Sequence, residues 1–239
     1  MQTSARELRA HAPQLSVGVL SADLLRIGEE LAVLDDAGIR LAHVDVMDGV
    51  FCPQTTVGTP FVKALPDRFV KDVHLMVDEP LEKVHVYVDA GAGILTFHLE
   101  ATRHPHRVLQ SLAGTGVVRG VALTPGTPVA AVEPLLDELE LLLLLAVNPG
   151  FGGQAFLPST IRRVEQAKAI VAGSGIVIAV DGGVTESNVG DVASLGVDLI
   201  VTGSAVYGGA APTETARAML TAARDAGQNR PLTRSSADS

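Results

Sequence analysis

The chain has 239 residues, 47% of them hydrophobic but only 3% aromatic, with one cysteine (Cys52) and a formal net charge of -9. That length suits one large domain with a core of Ala, Val, Leu and Ile, as in parallel strands buried on both faces. The acidic balance leaves no basic stripe for nucleic acid. The apolar run Leu141 to Val147 falls far short of the roughly 20 residues that span a bilayer, and the charged first twenty residues lack a signal-peptide centre. A lone Cys52 excludes an internal disulfide, so a reducing, cytoplasmic location is expected.

In chain order, apolar runs predict strands over 15–20, 41–46, 72–76, 94–98, 118–122, 141–147, 176–180 and 198–202. Between them, helical spacing covers 22–37, 80–90, 103–113, 128–138, 157–172, 185–194 and 212–225, and Pro80, Pro128 and Pro158 mark helix starts. Strand-helix alternation implies parallel strands with right-handed crossovers. The open doubly wound sheet is disfavoured, because no glycine fingerprint follows the first strand. The expected fold is therefore a (β/α)8 TIM barrel over 1–225, followed by a disordered C-terminal tail over 226–239.

Three polar clusters stand where apolar runs end: His43-Val44-Asp45, His74 and Asp181-Gly182-Gly183. Strand alternation puts His43 and Asp45 on one face. Two imidazoles and two carboxylates at barrel strand ends could converge on one divalent cation. A lone strand-end histidine is usually a satisfied core residue, but four such groups would be costly to bury without a cation. The mixed set suits Zn, Fe, Mn or Co and does not choose among them.

A second constellation is rich in glycine: Gly150-Phe151-Gly152-Gly153 after strand six, Gly182-Gly183 after strand seven, and Gly203-Ser204 after strand eight. Each glycine alone reads as a tight turn. Together their main-chain amides predict a phosphate pocket at the usual barrel location, with no lysine needed.

The segments "LSADLLRIGEE", "HVDVMDGVF", "DVHLMV", "TFHLEAT", "VALTPGTP", "VNPGFGGQAF", "VDGGV" and "GSAVY", in this order over roughly 15–208, closely resemble the ribulose-phosphate 3-epimerase family. The resemblance implies an isomerase that binds one divalent metal ion through His43, Asp45, His74 and Asp181. It implies interconversion of D-ribulose 5-phosphate and D-xylulose 5-phosphate, with Asp45 and Asp181 exchanging protons at C3 from opposite faces. The positions matching substrate and phosphate contacts are His74, Gly150, Phe151, Gly152, Gly153, Gly182, Gly183, Gly203 and Ser204. Met47 and Met76 match pocket methionines, although either could be ordinary core filling. His98, beside Glu100, is a candidate supporting partner; His11, His85, His104 and His106 are expected at the surface. Partners reduce to a small ketose phosphate and further copies of the chain, since family members are commonly oligomeric.

Four positions depart from the family pattern: Gly18 replaces a serine that bonds substrate, Val50 a histidine, Gln54 an asparagine and Leu145 a methionine. These leave the four metal positions intact but make another ketose phosphate, a hexulose or tetrulose phosphate, the serious competing substrate. A sugar-phosphate-binding homologue without turnover is the third reading, opposed by retention of both acids. Metal-independent decarboxylation through an Asp-x-Lys-x-x-Asp pattern is excluded, because Asp45, Met47 and Val50 occupy those positions.

Overall fold

A computed structural model describes residues 2–228. Its centre is a closed barrel of parallel strands in sequence order: β1 Gln14–Gly18, β2 Leu41–Met47, β3 Val70–Met76, β4 Ile94–His98, β5 Val118–Leu123, β6 Leu141–Leu145, β7 Val177–Asp181 and β8 Leu199–Thr202. β8 pairs back onto β1, so no edge is left unpaired. Around it lie α1 Ala5–Ala10, α2 Ile27–Ala37, α3 Thr59–Ala64, α4 Val84–Asp89, α5 Pro105–Ser111, α6 Ser159–Ile170, α7 Val189–Ser194, α8 Ser204–Tyr207 and α9 Pro212–Gln228. None of these helices is long and apolar enough to cross a membrane.

Alternation along each strand divides the apolar residues into two cores. Outward residues such as Val44, Val46, Val73, Leu75, Leu142, Leu144 and Ile200 pack under the helices, joined by Ala216, Met219, Leu220 and Ala223 of α9. Inward residues Leu41, Val70, Ile94, Val118, Leu141, Val177 and Leu199 fill the N-terminal half of the barrel, where Leu8 of α1 joins them. Both faces of each strand are thus desolvated, which is why β6 can be five consecutive leucines.

Several predicted boundaries shift. β2 runs one residue past its expected end, to Met47, and β3 starts two residues early, at Val70, so His43 and Asp45 lie within β2 and His74 within β3. The helix expected over 128–138 is a 3-10 run, Val129–Leu135, because Pro134 cannot donate a main-chain hydrogen bond. α1, the six-residue α3 and the four-residue α8 were not anticipated. α9 runs to Gln228, so 226–228 are helical rather than tail, and the rest of the expected tail, 229–239, lies outside the described residues.

The interior has little slack at mid-height. A Cβ on Gly120 of β5 would collide with Thr96 Oγ1 and sit close to the Thr96 backbone. Gly120→Ala should cost about 1–3 kcal/mol by overpacking. Urea unfolding should show the drop, and an unchanged midpoint would contradict the packing described.

Candidate functional site

His43 and Asp45 point inward from β2, where the register sets Asp45 beside His74 of β3. Asp181 closes the group as the last residue of β7. Asp45 Oδ1 lies 3.2 Å from His43 Nε2 and 3.1 Å from His74 Nδ1. Asp181 Oδ2 lies 3.9 Å from His43 Nε2 and 3.7 Å from His74 Nδ1. One donor atom from each residue falls within 4.8 Å of all the others. Donors about 2.0–2.2 Å from a shared tetrahedral ion stand about 3.3–3.6 Å apart, so these four residues could hold a divalent cation with small adjustments. His43 and His74 are buried, which removes water as a competing partner.

His43 is aimed by a residue that sequence reasoning missed. Asp72 Oδ2 accepts from His43 Nδ1 at 2.8 Å and from Ser16 Oγ at 2.6 Å. With its Nδ1 proton given to a carboxylate, His43 directs Nε2 at Asp45 and Asp181. The signal was available, since Asp72 precedes His74 by two positions and must share its face. On the other side, His74 Nε2 lies 2.9 Å from His98 Nε2, and His98 Nδ1 lies 3.3 Å from Glu100 Oε2.

The two acids are electrostatically unlike. Burial opposes ionisation of Asp45, but the His43 charge and hydrogen bonds from His43 and His74 override it and hold the carboxyl well below the usual range. Asp181 is pushed up to about 6, first by burial and then by the neighbouring Asp45 charge. Burial alone would lower His43, yet the charges of Asp72 and Asp45 carry it well above its ordinary value. Burial drives His98 down to about 4.

Above these groups opens a cavity of about 180 Å³, the size for a small ligand. It gathers Asp45, Asp181, Gly18, Met47, Met76 and Leu145 with Gly150, Phe151, Gly152, Gly153, Gly182, Gly183, Gly203 and Ser204. His43 and His74 sit behind its wall. Asn148, at the head of the glycine segment after β6, also lines it, as do Ser21, Gln154 and Thr185, which were not among the expected site residues. Gln154 Nε2 donates to the carbonyls of Asn148 at 2.7 Å and Phe151 at 2.9 Å, which fixes the loop after β6. After β7, Gly182 has φ +104° and any Cβ there would collide with Val147, so only glycine brings that backbone to the cavity. Of the departures, Gly18 and Leu145 face the cavity, whereas Val50 and Gln54 are exposed outside its lining. His11, His85, His104 and His106 are exposed.

A parallel barrel whose C-terminal mouth joins a four-donor cluster to three glycine loops has its polar groups where barrel enzymes carry their active sites. The match with the ribulose-phosphate 3 epimerase family model covers residues 14–207. The chain is 40% identical to the ribulose-phosphate 3-epimerase of Bacillus subtilis over 82% of its own length and 92% of the relative's. It is 41% identical to the chloroplastic enzyme of Arabidopsis thaliana, over 81% of this chain and 71% of that one. Among solved structures, 3-hexulose-6-phosphate synthase from Salmonella typhimurium aligns with a TM-score of 0.65 at 20% identity, over 89% of this chain and 99% of that chain, a likeness of fold alone. The chain belongs to the ribulose-phosphate 3-epimerase family, and it is an isomerase of carbohydrate metabolism.

Because His43 is raised and Asp181 lies at about 6, both hold protons that a cation must displace. Cation affinity should therefore rise with pH, more steeply below about 6, where both protons must leave, than above it, where only the His43 proton remains, with proton release visible by calorimetry in two buffers of different ionisation heat. Affinity that stays flat with pH would rule out those two residues as ligands.

Proposed function

We propose that this epimerase interconverts D-ribulose 5-phosphate and D-xylulose 5-phosphate by passing a proton between Asp45 and Asp181 at C3. The observation that carries the reading is the pair of acids of opposed acidity lining one small cavity above a four-donor cluster. His43, Asp45, His74 and Asp181 would hold one divalent ion, Zn, Fe, Mn or Co, which when bound would offset the charge that develops on the C2 and C3 oxygens.

Asp45, ionised at neutral pH, is suited to take the C3 proton as the C–H electron pair moves into the enediolate. Asp181, with its raised pKa, is suited to supply a proton to C3 from the other side, which inverts the centre. The carboxyls then hold the reverse proton inventory, and exchange with solvent resets them. In the opposite direction the roles swap. Amides of Gly182-Gly183 and Gly203-Ser204 suit the phosphate, and Gly150 to Gly153 cover the sugar.

Deuterium wash-in at C3 of D-ribulose 5-phosphate, followed by NMR in D₂O with each metal in turn, tests this directly. Exchange with epimer formation is expected, and no exchange with any metal would reject the substrate. Asp181→Asn should abolish turnover in a folded, metal-loaded protein; near-normal rates would remove Asp181 from the reaction.

Gly18 favours a second reading, a larger or differently hydroxylated ketose phosphate. A Cβ there would meet only Gly203 Cα at 3.5 Å and Thr202 O at 3.7 Å, ordinary contacts, so the backbone does not demand glycine. Gly18→Ser should raise kcat/KM for ribulose 5-phosphate several-fold if a substrate hydroxyl lacks a partner there, since one hydrogen bond is worth about 0.5–1.5 kcal/mol. An unchanged or lower kcat/KM would point to the other ketose phosphate.

A further inference from the structure

Behind His74 runs a chain of hydrogen bonds that the proton chemistry does not use. Glu100, just past β4, receives the Thr124 main-chain N–H at 2.8 Å, the Thr124 hydroxyl at 3.0 Å and the Thr127 hydroxyl, all on Oε1. Its Oε2 faces His98 Nδ1 at 3.3 Å. A carboxylate surrounded by donors can only accept, so His98 carries its proton on Nδ1. Burial disfavours a charged ring, and His98 is buried under the Phe51 ring at a centroid distance of 4.6 Å. Phe51 is held there by the turn in which Asp48 Oδ1 accepts from the amides of Val50 and Phe51.

His98 Nε2 is then an acceptor, and it stands 2.9 Å from His74 Nε2. Two imidazole nitrogens at that distance share one proton, so it resides on His74 Nε2. His74 Nδ1 is then the nitrogen that faces Asp45 Oδ1, at 3.1 Å. With Nε2–H committed to His98, the Nδ1–Asp45 gap is filled by an exchangeable proton or by a metal cation that displaces it.

We propose that Glu100 and His98 are positioning residues that lock His74 in its Nε2–H form and so present Nδ1 as a ligand to the divalent cation. The ligand role rests on the cation reading above. Asp72 sets His43 the opposite way, through Nδ1–H, so Asp72 on β3 and Glu100 just past β4 choose different nitrogens of the two histidines.

The informative variant is Glu100→Gln. The Thr124 main-chain N–H can only donate, so it claims the glutamine carbonyl and turns the NH₂ toward His98 Nδ1. Each bond then reverses, and the proton moves to His74 Nδ1, where it blocks the cation. Long-range ¹H–¹⁵N NMR of the metal-free wild-type protein should show His74 protonated on Nε2, and Glu100→Gln should show it on Nδ1. Cation affinity should fall about 10–100-fold, with little change in the thermal midpoint of the metal-free protein. A His74 Nε2 without a proton in the wild-type protein, or wild-type tautomer and affinity in the variant, would overturn the proposal. If Glu100→Gln does not fold, the wild-type spectrum decides alone. A wild-type protein with His74 Nε2–H that binds no divalent cation would sink the cation reading and leave the tautomer lock standing.

Discussion

Two carboxylates and two imidazoles share the largely buried floor of the barrel's mouth, and the surrounding interior is arranged around that burden. Isolated buried charge is costly, and like charges side by side add to it. The cost falls unequally on Asp45, which both histidines stabilise, and Asp181, which feels burial and its neighbour's charge. That asymmetry gives one acid suited to taking a proton and one suited to holding it. It comes from placement, since the two side chains are chemically the same.

The supporting residues form a shell in which the direction of each hydrogen bond follows from the next. Ser16 and Asp72 orient His43; Thr124, Thr127 and Glu100 orient His98 and through it His74. Arg163 extends the shell. Its guanidinium donates to the carbonyls of Leu145 and Thr124, pinning the ends of β5 and β6, and it feels the Glu100 charge. Such networks rigidify as their members are satisfied; the exception here is Arg163 Nε, buried with no hydrogen-bond partner among the described residues. In the proposed function the glycine loops answer a different problem, how a protein of net charge -9 would receive an anion, since they offer main-chain amides in place of lysines.

Much of this was legible in the sequence, for reasons that differ by residue. The strands announced themselves because both faces are buried, which leaves near-continuous apolar runs. The shared face of His43 and Asp45 followed from the period of two. α3 escaped because "TPFVKA" is too short to show helical periodicity, and the 128–138 stretch misled because its apolar spacing survives in a 3-10 geometry that Pro134 imposes. Asp72 was readable by the same alternation but carried no motif to draw attention. The exposure of Val50 and Gln54 was not readable, because loop direction depends on the Asp48 turn and its tie to the amide of Asp78.

The N-terminal end of the barrel is sealed. Leu8 of α1 plugs the inward apolar layer, and Gln14 Nε2 fastens the plug by donating to the Leu8 carbonyl at 2.8 Å. The reaction chamber is thus a cup rather than a tunnel. Whatever enters must leave by the same rim, past the same glycine loops, so the two epimers cannot queue from opposite sides. Each is the other's competitor for the doorway as well as its precursor, and the direction of net flux through such a vessel is set by the ratio of the two outside against its equilibrium value.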